Sequence, residues 1–150
     1  MANTQAVSTS FKVEMMNGIH AMGTTVARGG TTADSWKSAL YLASGSQGAA
    51  ITAYSATNEV SGSGYSAGGV AFTWSAPASS GTTAYSTPSA SISYGTVTLS
   101  TSFDAVTLYN STQSNKAMGT YTFGATTVTA GTFTLTMPTN DSSTGLFRIA

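Results

Sequence analysis

From Trp36 onward apolar residues alternate with hydroxyl-bearing ones, the period-two pattern of strands that bury one face. Trp36 to Ala43 reads as a strand whose second face is also partly apolar. Gly69 to Ser75 carries Val70, Phe72 and Trp74 in phase, pointing inward. Ser91 to Ser100 sets Ile92 and Tyr94 ahead of Val97 and Leu99, and the phase slip at Gly95 predicts a bulge or bend. Phe103 to Tyr109 and Lys116 to Phe123 flank Asn110–Asn115, which reads as a hairpin with a long turn. Thr132, Thr134 and Thr136 alternate with Phe133, Leu135 and Met137 until Pro138 stops the run, and Gly145 to Ala150 forms a last short strand.

One helical period precedes them. Phe11, Met15, Ile19 and Met22 fall at i, i+4, i+8 and i+11, which predicts an amphipathic helix over 11–22, capped by Ser8 or Ser10 and closed by Gly23. Residues 1–10 read as an extended polar arm with nothing that demands a place in the core, so deleting residues 2–9 should leave the free domain's melting temperature nearly unchanged. Residues 24–34 are loop-like. The expected fold is mainly β: an antiparallel β-sandwich or jelly-roll-like domain with one N-terminal amphipathic helix. A chain of 150 residues suits one core, so residues 1–150 are expected to form a single domain, with strands over 36–150.

Charge changes the picture most. Charged residues are 7% of the chain, and five basic groups cancel five acidic ones, where a typical domain has about 25% charged residues. Such a surface has no long-range attraction for nucleic acid or anionic lipid, so neither is expected as a partner. No apolar run is long enough to span a membrane, and the first residues lack the basic and apolar regions of a secretory signal. The absence of cysteine fits synthesis in a reducing cytoplasm. At 41% hydrophobic the chain has material for a packed core rather than disorder. Ser and Thr, roughly a third of the residues, take the place of charges. Hydroxyls can meet a partner at a lower desolvation cost than charges.

Candidate chemistry is sparse. The sole histidine, His20, is expected on the helix surface or at an interface, and Glu14, Asp34, Glu59, Asp104 and Asp141 are scattered with no spacing that groups them. No catalytic, cofactor-binding or metal-binding residues are assigned, no cofactor is implied, and the chain reads as non-enzymatic. Gly62-Ser-Gly64-Tyr-Ser-Ala67 imitates a dinucleotide fingerprint, but a strand follows instead of a helix, so it reads as a tightly turned loop. The sequons at Asn110 and Asn140 read only as turns. Candidate interface residues are Phe11, Met15, Ile19 and Met22 on the helix, which serve equally as its core-facing stripe, and Tyr54, Tyr65 and Tyr85 in loops.

Several blocks carry a resemblance: Ser-Phe-Lys-Val-Glu (10–14) with Gly-Ile-His (18–20), Lys-Ser-Ala-Leu-Tyr (37–41) and Thr52 through Gly69. Leu-Tyr-Asn-Ser (108–111), Asn-Lys-Ala (115–117) and Phe-Arg-Ile-Ala (147–150) complete it. Together they resemble a family of small virion-associated structural proteins of tailed bacteriophages, and Asn58–Gly69 is the most specific part. The resemblance implies a virion component, made in the host bacterial cytoplasm, with no catalytic motif. Within that frame the expectation is a capsid decoration, or cement, protein. It would bind the phage major capsid protein and neighbouring copies of itself, as a homo-oligomer, and stabilise the lattice. Alternatives are a tail or tail-tip component that contacts tail proteins, and a glycan-binding host-attachment module.

Overall fold

Two long strands organise the molecule. The computed structural model of the protein describes residues 2–16, 18–23 and 32–149. Strand β6 (Ile92–Asn110) and strand β7 (Lys116–Leu135) form one antiparallel hairpin around the turn 111–115. Ser114 and Asn115 take positive φ in that turn, at 53° and 58°. Strand β2 (Trp36–Leu42) pairs with β6, β3 (Val70–Phe72) with β2, and β1 (Ala6–Val7) with β7. The resulting five-stranded antiparallel sheet has the order β1-β7-β6-β2-β3. A second antiparallel sheet contains β4 (Ala78–Ser80), β5 (Thr83–Ser86) and β8 (Phe147–Ile149) in the order β4-β5-β8.

The hairpin is bent double. Its register slips between Ser93 and Thr96, Val97 and Leu99, Leu99 and Phe103, and Phe103 and Ala105. The bulge expected at Gly95 is one of these slips, where Gly95 takes positive φ, and Ala130 does so opposite another. Ten residues of straight strand would separate Phe123 from Phe133 by about 33 Å, yet their ring centroids are 5.7 Å apart. Phe103 lies against both, at 5.9 Å and 5.0 Å, and Tyr94 touches Phe133. The inward phenylalanines of both halves thus gather into one cluster. This joins the main core of Trp36, Leu40, Trp74, Ile92, Val97, Leu99 and Leu108. Trp74 is inward, as its phase predicts, edge-on to Trp36 at 5.8 Å.

Strand β2 is buried on both faces, because a second small core of Ala39, Tyr41, Ala105 and Tyr109 lies behind it, with Tyr54 packed on top. The partly apolar second face read from the sequence has this cause. The runs 92–100 and 103–109 lie in a single strand, as do 116–123 and 132–135, since bulges carry the ladder through breaks in the period, and β7 ends at Leu135, before Pro138 is reached. The short strands β4 and β5, Ala-Ser-Ser and Thr-Ala-Tyr-Ser, have no apolar alternation to announce them.

Two expectations about the N-terminus are corrected. The amphipathic helix over 11–22 is not seen; a helix, α1, covers only Thr9–Met16 and does not segregate apolar from polar residues. It stops well before Gly23 because Gly18, at φ 66°, reverses the chain. Gly18 N–H then donates to Met15 O and Ile19 N–H to Glu14 O, both at 3.0 Å, closing the helix carbonyls. Ser8 precedes the helix, but its buried hydroxyl makes no capping bond, nor does that of Ser10.

The supposed free arm lies on the protein's own sheet. Ala6 and Val7 pair with Thr120 and Gly119, and Ser8, wholly buried, donates its N–H to Met118 O at 2.9 Å. Asn3 Nδ2 donates to Leu42 O, and Asn3 Oδ1 accepts from Gln47 N–H at 2.8 Å. Deleting residues 2–8 should therefore lower the melting temperature by about 5–10 °C, the equivalent of about 2–3 kcal/mol. A calorimetric scan that shows no shift would restore the free arm.

Candidate functional site

The structure gathers the scattered polar residues into two constellations. The first lies where α1 meets the tip of the long hairpin. After the reversal at Gly18, His20 comes back against α1, and Nε2 sits 2.8 Å from Glu14 Oε2. Lys116, the first residue of β7, donates to Glu14 Oε1. On the far side of the ring, Nδ1 is 2.9 Å from Asn110 Nδ2, which also donates to Asp34 Oδ2 at 2.8 Å. Ala21 N–H donates to the same Asp34 oxygen at 2.8 Å. The imidazole packs against Phe11, at 4.6 Å, and Trp36, at 5.8 Å.

His20 is therefore neither on a helix nor at the surface: its side chain is fully buried. Burial raises the Glu14 carboxyl, but the bonds and charges of Lys116 and His20 outweigh it and hold it below the ordinary glutamate range. Both ring nitrogens are engaged within the chain, so neither is presented to a substrate. Among the described residues no group of three or more His, Asp or Glu side chains is placed to hold a metal ion. No described helix is long and apolar enough to cross a membrane.

The second constellation is centred on Glu59, within the block Asn58–Gly69. Glu59 Oε2 accepts from the Tyr54 hydroxyl at 2.7 Å, and Oε1 accepts from the Tyr65 hydroxyl and Gly68 N–H, both at 2.8 Å. Tyr65 also accepts the Leu40 N–H, and Tyr109 donates to Gly68 O at 2.6 Å. Tyr54 stacks on Tyr109 at 4.9 Å, and Tyr65 stacks on Tyr94 at 6.1 Å. Burial first, and then the neighbouring carboxylate, push Tyr54 and Tyr109 up to about 12.

The glycines of this block let backbone approach backbone. A Cβ on Gly62 would fall 2.0 Å from Thr98 O, and one on Gly69, itself at φ 68°, would fall 1.7 Å from Ser38 O. The loop is thereby laid along β6 and β2 with no phosphate-binding helix start, in keeping with a turned loop. Its chemistry is that of a brace: an acceptor ties three donors from one loop to the sheet.

None of the proposed contact residues stands clear of the protein. Phe11 is completely buried, and Met15 and Met22 are half-buried against the main core. Ile19 is half-buried, as are Tyr54, Tyr65 and Tyr85. Phe11 and His20 come together in the first constellation, and Tyr54 and Tyr65 in the second. Neither Asn110 nor Glu59 was singled out from sequence as a hub. Gly-Ile-His and the Asn58–Gly69 block mark the places, but nothing in their spacing names the partners. Comparison with family models, with curated proteins and with solved structures finds no match to this chain.

Proposed function

We propose that this protein is a non-enzymatic structural component of a tailed-bacteriophage virion, a β-sandwich subunit that decorates and stabilises the capsid lattice. The observation that carries the reading is the outward face of the β6–β7 hairpin beyond its bend. Ser93, Thr96, Thr127, Thr129, Thr132 and Thr134 are exposed there, and no charged residue occurs between Ala117 and Asn140. A face of hydroxyls and methyls sheds little solvation energy when covered, whereas charged faces cost several kcal/mol per unpaired group. A subunit present in many copies also gains stability from the lattice, since binding that selects the folded state adds to it. The two polar constellations support the same reading, because each satisfies itself internally and offers no reacting group. The sequence resemblance points to the same class of protein.

The test is reconstitution of purified protein onto virion heads that lack it, followed by a density map of the particles. Density at regular positions on the shell supports the reading. Density on the tail alone moves the assignment to a tail component, and saturable binding to a glycan with none to particles makes it an attachment module. Attachment to heads should also depend weakly on salt, changing less than about tenfold from 50 to 200 mM. A contact made through several phosphates or clustered charges would lose about 10³-fold or more. A steep salt slope would show that the uncharged face is not the contact.

A further inference from the structure

Asn110 has no freedom to turn in its present surroundings. Its residue is fully buried, and its Oδ1 accepts two turn amides, Thr112 N–H and Gln113 N–H, both at 3.1 Å. Its Nδ2 faces the Asp34 carboxylate and His20 Nδ1. A reversed amide would set NH2 against two N–H groups and an oxygen against a carboxylate, so the orientation follows from the neighbours. With NH2 toward the ring, His20 Nδ1 must accept. The ring is then the neutral tautomer with its proton on Nε2, donated to Glu14. Every donor in this group faces an acceptor: Lys116 and His20 both donate to Glu14, and Asn110 donates to both His20 and Asp34.

We propose that His20 is a proton-operated latch: a proton taken up at Nδ1 turns Asn110 out of its place and releases the two amides of the turn 111–115 that Asn110 Oδ1 holds. A protonated Nδ1 puts N–H against the Asn110 NH2 at hydrogen-bond distance, and one partner has to move. The charged groups that face the ring are Glu14 from α1, Lys116 from β7 and Asp34 from the segment before β2. Glu14 and Asp34 favour the cation and Lys116 opposes it, but none of them removes the conflict between donors. The ring packs against Phe11 and Trp36, which also touch each other. Its bond to the Glu14 carboxylate becomes an ion pair on protonation, whereas the two bonds that Asn110 Oδ1 accepts from the turn are neutral. The weaker side yields. Once turned, Asn110 Oδ1 accepts from Nδ1, and both turn amides lose their acceptor. The latch rests on this geometry alone and is independent of the virion assignment.

The experiment is nitrogen-15 NMR of the intact protein, acidified from about pH 8 to about pH 5. At the upper end the His20 nitrogens should show the Nε2–H tautomer. As the ring protonates, the Thr112 and Gln113 amides should shift with the same midpoint and lose about tenfold or more of their exchange protection. Amides of α1 should stay unchanged. In His20→Gln the turn amides should be flat across the range. An Nδ1–H ring at the upper end overturns the latch, as does a ring that protonates while both turn amides stay protected. A ring that stays neutral until the whole protein unfolds overturns it as well.

Discussion

Replacing Glu59 by alanine should destabilise the folded protein by about 2–4 kcal/mol, an effect well above that of an ordinary surface substitution. Alanine leaves the Tyr65 hydroxyl and Gly68 N–H without the acceptor that both use, at 2.8 Å each, and removes the partner of Tyr54. A polar group stranded away from water costs about 1–3 kcal/mol. Tyr54 is half-buried and recovers part of its loss from solvent, so the total stays below the sum of three full penalties. The damage should propagate, because Tyr65 also accepts the Leu40 N–H in the core strand β2, and Gly68 O receives Tyr109. Glu59→Gln keeps one oxygen for the shared Oε1 position, and its amide can donate to Tyr54, so it should cost about 1 kcal/mol. Urea denaturation separates the two through the midpoint at constant slope. Equal and small losses for both variants would mean that the loop is held by its glycine contacts and not by the carboxylate.

The same residue shows what a sequence does and does not expose. Period-two alternation located the backbone of the fold from Trp36 to Leu135, because each residue in such a strand reports its own burial. Gly95 reported the bulge for a related reason: only a phase slip reconciles Tyr94 and Val97 on one face. The doubling of the hairpin was invisible, since Phe103, Phe123 and Phe133 meet across a bend that leaves no local period. Glu59 and Asn110 were equally silent. A hub residue is defined by partners far along the chain, and Asn110 with Asp34 and His20 spans 76 to 90 positions. The helix failed for a different cause. Phe11, Met15, Ile19 and Met22 do fit one stripe, but Gly18 ends the helix first, and the apolar residues beyond it pack as an irregular segment. The arm misled because its bonds are made by backbone groups and Asn3, which carry no hydrophobic signal. Of the aromatic and apolar candidate contacts, Phe11 lies in the core, while Met15, Ile19, Met22, Tyr54, Tyr65 and Tyr85 stay half-buried.

Alkali should unfold the protein in one steep step near pH 12, and tyrosine is the reason. Tyr41, Tyr94 and Tyr109 are buried, at 0%, 5% and 2% exposure, and their hydroxyls donate to Ser55 O, Ser38 Oγ and Gly68 O. Burial is the main cause that raises all three, with the charge of Glu59 adding to it; Tyr109 reaches about 12, and Tyr41 and Tyr94 go higher. In the unfolded chain the same groups ionise near pH 10. Because the folded values are raised, the native state holds more protons than the unfolded state above pH 10. Stability is thus fully present below about pH 10 and falls as pH rises toward and beyond 12. These three protons alone set a slope of about 4 kcal/mol per pH unit, and the raised Tyr54, Tyr65 and Tyr121 steepen it. Two pH units then remove about 8 kcal/mol, comparable to the whole stability of a domain of this size. The ultraviolet absorbance of tyrosinate and the β-sheet circular dichroism should therefore change together, over a range narrower than a single free tyrosine titrates. Tyr109→Phe, which removes one of six raised tyrosines, should flatten the slope by about a sixth. Gradual tyrosinate formation from pH 10 with the circular dichroism intact would show that these hydroxyls reach water in the folded state.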